Sequence, residues 1–445
     1  MHRAIVLLIL AAVSTWGQPK AETNSALTQK IEAALKKSGA PSVSVAVVER
    51  GKLTYARAFG SADLAARRPA RVNTRYAIGS ISKQFTAAAL LLLQEQGKLS
   101  LDDKVSRWFP NLTRANDITI RQLLSHTAGY EDYAPQDYII PAWTSPIAPE
   151  GILDRWAKKP LSFEPGTKWQ YSNTGYVLAA AIFEKAAGQG LVAFLREKIF
   201  QPLEMQSPVD WAVTPPGPDD ATAYTRYALG PPRPARREAP SWYFGAAQLA
   251  MTPSDLARWD IAFLEKKILS GPSYDEFTRE VKLKDGGATR YALGLTLGEI
   301  NGTPVVQHGG EVSGFLASNM VFPKLQGALV VLSNQDCVGF TSPLAREIAT
   351  LVFAPEKAAG KNTEQVRGIL DGLRNGKIDR ALFTADANSY FSETALKDCR
   401  NSLRPLGKLK TVAAGGENLR GGMTHRSYRA EFEKKTLNLN IYVTA

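Results

Sequence analysis

Hydrophobic positions either alternate or recur with helical spacing along most of the chain, which predicts a layered fold of strands and helices. Alternation over Val43–Val48 and Leu53–Phe59, around the turn residues Arg50-Gly51-Lys52, predicts a β-hairpin. Further along, consecutive strands are predicted at Leu293–Leu297, Val305–Gln307, Phe315–Phe322 and Ala328–Leu332. The first segments and the last thus have strand character, and the region between them does not.

Helical spacing dominates that intervening region and also flanks the strands. The predicted helices are Thr23–Lys37, Ser80–Gln96, Ile118–Leu124, Tyr176–Ala187, Pro253–Leu264 and Leu344–Phe353. Thr252 caps one of them, and Pro253 occupies its first position. Residues Pro215–Pro240 are rich in Pro, Gly and Arg, which predicts a long loop. The pattern therefore predicts an α/β layer, of the α+β type, that carries a helical insertion.

Composition shifts near Pro355–Lys361, which we interpret as a linker. Beyond it, helices are predicted at Thr363–Leu373 and Glu393–Leu403, and strands at Leu409–Ala414, Ser427–Phe432 and Leu437–Val443. These elements predict a small α+β unit. The expected domain organisation is residues 1–17, 23–356 and 362–445.

The first residues indicate export. Met1–Arg3 is positively charged, Ala4–Val13 is almost wholly apolar, and Ser14–Gly17 is small and polar apart from Trp16. This order is typical of a secretory signal peptide that is cleaved after Gly17, and it predicts a periplasmic or secreted protein. A buried N-terminal helix is the alternative.

Composition excludes several classes. With 445 residues, 44% hydrophobic and 22% charged, the chain is a globular protein that is long for one domain. The net charge of +12 is concentrated at the C-terminal end, since residues 357–445 alone contribute +7. No aromatic–basic motif accompanies that charge, so we expect no nucleic-acid partner. A basic appendage instead suits peripheral contact with an anionic envelope surface.

Neither cysteines nor histidines predict a bound metal or a disulfide scaffold. The chain has two cysteines, Cys337 and Cys399, and export permits a bridge between them without requiring one. The four histidines (His2, His126, His308 and His425) show no ligand spacing. We expect no metal and no cofactor.

Ser80-Ile81-Ser82-Lys83 is the first candidate for chemistry. Its i, i+3 spacing places the Ser80 hydroxyl and the Lys83 ammonium on one face of an apolar helix. Burial lowers the pKa of a lysine, which lets it act as the base that a serine nucleophile needs. The Ser80 N–H at a helix start is also a donor for an oxyanion. An N-cap serine followed by a surface lysine is the alternative.

Two later motifs supply matching groups. Tyr171-Ser172-Asn173 follows a Pro-Gly turn, where a tyrosine can pass a proton and an asparagine can bond a lysine and a substrate carbonyl. His308-Gly309-Gly310 follows the predicted strand Pro304–Gln307, and its glycines permit close approach of a substrate backbone. His308 supplies a positive or hydrogen-bonding group. Taken singly, these motifs also fit a packed loop and a tight hairpin.

In this order, S-x-x-K, Y-x-N and a basic residue followed by Gly resemble the motifs of serine β-lactamases and penicillin-binding proteins. Leu123–Gly129 and Phe163–Gly166 are also similar to the branch with class C β-lactamases, DD-peptidases, D-aminopeptidases and esterases. The resemblance covers roughly Thr23–Phe353. It implies an antiparallel sheet flanked by helices, with an inserted helical subdomain, and a serine hydrolase that forms an acyl-enzyme.

The resemblance also implies roles. Ser80 attacks a carbonyl, and Lys83 and Tyr171 share the proton transfers. Asn173 holds Lys83 and the substrate amide, and the N–H groups of Ser80 and Glu311 form the oxyanion hole. His308, Gly309 and Gly310 replace the K-T-G of many β-lactamases, so we expect poor recognition of a β-lactam carboxylate. His126 matches a family stretch, but we interpret it as structural.

Several alternatives remain at this stage. The substrate is a D-alanyl peptide, a D-amino-acid amide, an ester or a β-lactam, or the protein is a carboxylesterase without β-lactamase activity. A non-catalytic binder of cell-wall peptides or of a partner protein is the alternative from another class. Arg233, Arg236 and Arg237 either line the cleft mouth or form a solvated surface. The C-terminal helices and strands are somewhat similar to a cystatin-like cone fold.

Overall fold

The computed structural model describes residues 18–136, 139–228, 230–336, 339–353, 359–420 and 423–443. The expected signal peptide, residues 1–17, and one of the two cysteines, Cys337, lie outside the described residues. The chain divides into two compact units after Phe353.

The first unit holds most of the described elements. Its strands are β1 (Ser42–Glu49), β2 (Lys52–Asp63), β3 (Arg68–Pro69), β4 (Tyr76–Ala77), β5 (Val209–Asp210), β6 (Tyr224–Thr225), β7 (Arg233–Pro234), β8 (Leu249–Met251), β9 (Thr296–Ile300), β10 (Thr303–Val312), β11 (Phe315–Phe322) and β12 (Gly327–Ser333). Its helices are α1 (Gln18–Ser38), α2 (Ser82–Glu95), α3 (Ile120–Leu124), α4 (Pro149–Ile152), α5 (Asn173–Ala187), α6 (Leu191–Leu195), α7 (Pro253–Leu264), α8 (Gly271–Thr278) and α9 (Thr341–Val352).

A seven-stranded antiparallel sheet organises this unit, in the order β3-β2-β1-β12-β11-β10-β9. The predicted hairpin, β1 with β2, pairs through β1 with β12 near the other end of the unit. The expected layer built from both ends of the body is thus confirmed. The region between β2 and β9 contributes helices and two small sheets, β4-β8-β5 and β6-β7.

Both faces of the sheet are covered, so its central strands are apolar on both sides. Val43, Val45 and Val47 of β1 pack in one cluster with residues of α1 and α9. Ala46 and Val48 point the other way, into a larger cluster with residues of α2 and α5. Because side chains alternate along a strand, β1 contributes residues to two hydrophobic cores, one on each face of the sheet. The larger core packs against the helices that carry the S-x-x-K and Y-x-N motifs.

Several predicted boundaries need correction. The strand predicted at Leu293–Leu297 lies at Thr296–Ile300. β10 runs to Val312, so His308-Gly309-Gly310 lies inside a strand and not at its end. The predicted loop Pro215–Pro240 contains the short β6–β7 pair. These errors share a cause: Gly, Pro and polar residues interrupt the local pattern, while backbone pairing with neighbouring strands continues through them.

The second unit contains α10 (Ala359–Arg374), α11 (Ala385–Tyr390), α12 (Glu393–Leu403), β13 (Leu409–Arg420), β14 (Met423–Phe432) and β15 (Thr436–Val443). Its three-stranded antiparallel sheet has the order β13-β14-β15. Val366 and Leu370 of α10 pack against Tyr428, Ala430 and Phe432 of β14. The cystatin-like comparison stays a prediction.

None of the described helices is by itself long and apolar enough to cross a membrane. One bent pair, Asn173–Ala187 with Leu191–Phe200, meets the length and composition test only when taken together, and α5 within it is a buried core helix.

Candidate active site

Ser80 sits on a single 3₁₀ turn, Gly79–Ile81, immediately before α2. Gly79 adopts a φ of 53°, and a Cβ added there would lie 2.6 Å from the Glu311 backbone nitrogen. Glycine is therefore required for the turn to approach β10 so closely. The N-cap residue of α2 is Ile81, and no side-chain hydrogen bond caps this end of the helix. Ser80 therefore does not serve as a capping residue for α2.

Lys83 is fully buried in the first turn of α2, contrary to the surface-lysine alternative. Its Nζ donates to Ser80 Oγ at 3.0 Å, to Asn173 Oδ1 at 2.7 Å and to the Ala246 carbonyl at 3.0 Å. Burial lowers the pKa of Lys83 to about 7, although the nearby Asp132 carboxylate opposes the shift. A substantial neutral fraction is thus available at neutral pH to accept the Ser80 proton.

Tyr171 reaches the same serine from the loop before α5. Its hydroxyl lies close enough to the Ser80 side chain for Ser80 to lower the pKa of the phenol, and its ring lies 4.9 Å from Lys83 Nζ. Burial of the hydroxyl raises the pKa of Tyr171 above its ordinary value. The phenol is therefore protonated at neutral pH, which suits it to donate a proton and leaves Lys83 as the better base.

Asn173 is held in one orientation by a residue that the sequence reasoning missed, Asp132. The Asn173 Nδ2 donates to Asp132 Oδ2 at 3.2 Å, and its backbone N–H donates to Asp132 Oδ1 at 3.0 Å. With Nδ2 turned to the carboxylate, Oδ1 faces Lys83. Burial raises the pKa of Asp132. Only its position soon after His126–Gly129, among aromatic residues, could have drawn attention to it in the sequence.

β10 brings the third motif beside Ser80. Its pairing with β9 ends at Gln307, while pairing with β11 continues to Val312. A Cβ added to Gly310 would lie 1.9 Å from the Ile78 carbonyl oxygen, so only glycine permits this approach. The approach places Glu311 beside the Gly79 turn, as an oxyanion hole made by the Ser80 and Glu311 N–H groups requires.

His308 belongs to the same strand, β10, and is only 7% exposed. Burial lowers its pKa to about 4, so the ring is neutral at neutral pH. Its Nδ1 lies 2.5 Å from the Gly309 carbonyl, and its Nε2 lies 2.9 Å from the Tyr291 hydroxyl. Because a carbonyl only accepts, Nδ1 carries the proton. Of the two roles predicted for His308, the geometry favours hydrogen bonding and opposes a positive charge.

His126 is the other end of the same network. Its Nδ1 accepts from the Ser172 N–H at 3.1 Å, which leaves Nε2 to donate to the Tyr291 oxygen at 3.1 Å. Its ring lies against that of Tyr171, with centroids 4.2 Å apart. The arrangement supports the structural interpretation of His126: it fixes the loop that carries Tyr171.

Two cavities flank Ser80, and Tyr171 and Glu311 border both. The larger one, of about 490 Å³, extends past Asn173 to Glu238, Ser313 and Asp336. The other, of about 410 Å³, extends past His308 to Thr341 and Ser342. An acyl group and a leaving group diverge from an attacked carbonyl in opposite directions, so two cavities suit a substrate with both.

Within the Pro215–Pro240 segment, Arg233, Arg236 and Arg237, which the sequence offered for the cleft mouth, are not among the residues that line either cavity. Arg237 donates to the Thr214 carbonyl at 3.0 Å and lies over the Trp211 ring at 4.2 Å. Its neighbour Glu238 lines the larger cavity instead. The segment therefore contributes a carboxylate to the cleft.

No cluster of three or more His, Cys, Asp or Glu suited to a metal occurs in the described part of the chain. The chemistry that the site can perform on its own residues is nucleophilic: a serine, a buried lysine beside it and an ordered phenol.

Comparison with known proteins agrees with this geometry. The Beta-lactamase family profile matches residues 27–350. Penicillin-binding protein 4* of Bacillus subtilis is 31% identical over 376 residues, which cover 78% of each chain. A D-aminopeptidase of Brucella anthropi is 29% identical over 62% of this chain, and the match spans only 52% of that enzyme.

The solved structures show the same fold. An octameric penicillin-binding protein homologue from Pyrococcus abyssi superimposes with a TM-score of 0.65, over 94% of this chain and 90% of that chain, at 23% identity. At that identity the likeness concerns the fold alone, and it matches the antiparallel sheet flanked by helices. The family match, the relatives and the fold agree: this chain belongs to the Beta-lactamase family and is a β-lactamase-related serine hydrolase.

Proposed function

We propose that this protein is an exported hydrolase that cleaves amide or ester bonds through an acyl-enzyme on Ser80. The observation that carries the proposal is the contact between Lys83 Nζ and Ser80 Oγ at 3.0 Å, made by a lysine whose pKa is about 7. A surface lysine would stay protonated at neutral pH and would not serve as a base.

The proposed reaction uses groups already in contact. Neutral Lys83 accepts the Ser80 proton while Oγ bonds to the carbonyl carbon, and the carbonyl oxygen becomes an oxyanion held by two backbone N–H groups. Collapse breaks the bond to the leaving nitrogen or oxygen, which takes a proton from Tyr171. The Lys83 ammonium then returns a proton to Tyr171. Water releases the acyl group by the same steps in reverse.

The substrates that fit best are D-amino-acid amides, D-alanyl peptides and simple esters. The similarity to a D-aminopeptidase supports the first two classes. A β-lactam carboxylate fits less well, because His308 is neutral and Gly309 has no hydroxyl. We therefore expect slow reaction with penicillins.

The direct test is Ser80→Ala with p-nitrophenyl acetate as substrate. Removal of the nucleophile should lower kcat by about 10⁴-fold or more. Turnover at the wild-type rate in this variant would refute the assignment.

Covalent labelling complements that test. A fluorescent fluorophosphonate should label Ser80 in the wild-type protein, and a fluorescent penicillin should label it weakly. Labelling by neither probe would favour the alternative of a non-catalytic binding protein.

The excess positive charge of residues 357–445 belongs to the same proposal. In an exported protein, a unit with +7 net charge suits peripheral contact with an anionic envelope surface. Cosedimentation with anionic vesicles should fall when this unit is deleted and when salt is raised, and unchanged binding would contradict the idea.

A further inference from the structure

The far end of the larger cavity holds a carboxylate that the proposed reaction does not use. Glu238 is 7% exposed and lines this cavity. Its Oε1 accepts from the Ser313 hydroxyl at 2.7 Å, whereas its buried Oε2 has no hydrogen-bond partner among the residues that the structure describes. A buried carboxylate oxygen without a partner is costly, which favours a ligand that would bind it.

Asp336 adds a second carboxylate at the same place. It is 6% exposed, and its Oδ2 accepts from the Gly314 N–H at 2.8 Å, while its Oδ1 has no hydrogen-bond partner in the described part of the chain. Both carboxyl groups are therefore anchored to adjacent residues of the β10–β11 turn, Ser313 and Gly314, and both line the cavity. Burial raises the pKa of Glu238 to about 7, and the Asp336 charge contributes to that shift.

The chain supplies no ion pair for these two groups within its described residues. The nearest candidate is Arg237, which is adjacent to Glu238 in sequence. Its guanidinium lies over the Trp211 ring and donates through Nη1 to the Thr214 carbonyl, and its charge acts on Glu238 without a direct ion pair among the described residues. Neither carboxylate is therefore paired directly with a cation in the described part of the chain, which leaves room for a cation supplied by a ligand.

We propose that Glu238 and Asp336 form a subsite that binds an ammonium group on the acyl side of the substrate. The acyl side is assigned because Asn173, which is expected to hold the substrate amide, borders this cavity and not the other. The inference deepens the proposed function, on which it rests, by specifying a substrate class.

The position of Ser313 relative to Glu311 indicates how far the substrate ammonium must lie from the attacked carbonyl. Ser313, which holds Glu238, lies two residues beyond Glu311, whose N–H is assigned to the oxyanion hole, and two residues of extended chain span about 7 Å. We therefore place the ammonium several ångströms beyond the attacked carbonyl. An α-ammonium, attached next to the carbonyl, is too close. The ammonium of a D-lysyl or D-ornithyl side chain, or the N-terminus of a dipeptidyl group, has the right length.

A pair of activated esters tests this reach without relying on amide cleavage. The p-nitrophenyl esters of hexanoic and 6-aminohexanoic acid differ only in the terminal ammonium. In the wild-type protein, kcat/KM should favour the ammonium ester by about ten- to a hundredfold, as expected for a charge-assisted hydrogen bond. Glu238→Gln and Asp336→Asn should each lower this ratio several-fold, mainly through KM.

Glu204→Gln is the matched control, because Glu204 is exposed and lies outside the residues that line the cavity. It should leave both the ratio and the hexanoate rate unchanged. Equal kcat/KM for the two esters in the wild type, or an unchanged ratio in both cavity variants, would overturn the subsite while leaving the hydrolase assignment intact.

A binding measurement tests the subsite even if the protein hydrolyses neither ester. Calorimetric titration of the intact protein with 6-aminohexanamide and hexanamide measures the subsite without turnover. If neither ester is hydrolysed, the proposed function fails, and tighter binding of the amine would still support the subsite. Equal binding of the two amides would contradict it.

Discussion

The two cavities that meet at Ser80 differ in the charge of their walls. The larger one is bordered by Asp132, Glu238 and Asp336, and within the described residues Glu238 and Asp336 each keep one carboxylate oxygen without a hydrogen-bond partner. The smaller one is bordered by His308, whose ring is neutral and has both nitrogens engaged. One side of the serine can therefore attract a cation, while the histidine on the other side brings no charge.

The comparison shows that burial alone does not decide what a titratable group can do. Lys83 and His308 are both buried, and burial lowers the pKa of both. Lysine starts at 10.5 and falls to about 7, which makes it a base at neutral pH. Histidine starts at 6.5 and falls to about 4, which removes its charge. The same desolvation therefore lets Lys83 accept a proton at neutral pH and removes the positive charge from His308.

After the loss of the nucleophile itself, the largest effect is expected from removing Lys83, which contacts the serine that borders both cavities. Lys83→Met keeps the volume of the side chain but removes the base, so kcat for p-nitrophenyl acetate should fall by about 10³- to 10⁴-fold. In the wild type, kcat/KM should rise as pH increases through about 7, because Lys83 acts when deprotonated.

Lys159→Met, on the exposed surface, is the control for Lys83→Met and should keep both the rate and the pH profile. A full rate in Lys83→Met, with circular dichroism showing a folded protein, would remove lysine from the mechanism.

The next largest effect is a difference in kcat/KM between alanine variants of two adjacent glycines of β10, Gly309 and Gly310. Gly310→Ala forces a Cβ to within 1.9 Å of the Ile78 carbonyl, so β10 must move away from Ser80. A displacement of about 1 Å costs about a hundredfold in kcat/KM. Gly309→Ala meets nothing closer than 3.9 Å and should stay within a few-fold of wild type. Similar rates in the two variants would show that the close approach is not needed.

A smaller effect concerns the neutral histidine. Between pH 6.5 and about 4 an unfolded histidine is protonated while folded His308 is not. The unfolded state then binds more protons, so the free energy of unfolding should fall as pH decreases through this range, by about 2–3 kcal/mol at most from His308. Urea unfolding at pH 7 and pH 4.5 measures the fall.

His308→Gln should make that fall shallower without abolishing it, because burial also lowers the pKa of His126. Identical pH dependence in the wild type and His308→Gln would mean that His308 is protonated in the folded protein.

The smallest effect is a gain of function in the smaller cavity. His308→Lys with Gly309→Thr introduces the charge and hydroxyl found in many β-lactamases, and the open space at Gly309 accommodates a side chain. Labelling of Ser80 by fluorescent penicillin should increase about tenfold, roughly the value of one charge-assisted hydrogen bond. Gly309→Thr alone, which adds no charge, is the control. No gain in the double variant would show that charge is not what limits penicillin recognition.

Local signals predicted some elements with their observed bounds. Helix α7, with Thr252 as its cap and Pro253 at its first position, was predicted over Pro253–Leu264 and occupies those residues. Helix α12 was likewise predicted over Glu393–Leu403. Helix α8 was missed, because Gly271 and Pro272 obscure a helix that begins after a capping Ser270. Capping chemistry is local and visible in sequence, whereas packing decides whether a weak helix former is helical.

What the sequence determined by itself is the pairing of Ser80 with Lys83, because spacing along one helix turn fixes which side chains meet. The order of the three motifs also indicated the family. The tertiary structure alone decided that Asp132 orients Asn173, that His308 is neutral, and that Glu238 and Asp336 meet at the end of the cleft. Those contacts join residues far apart in the chain, and their protonation depends on burial, which no local pattern encodes.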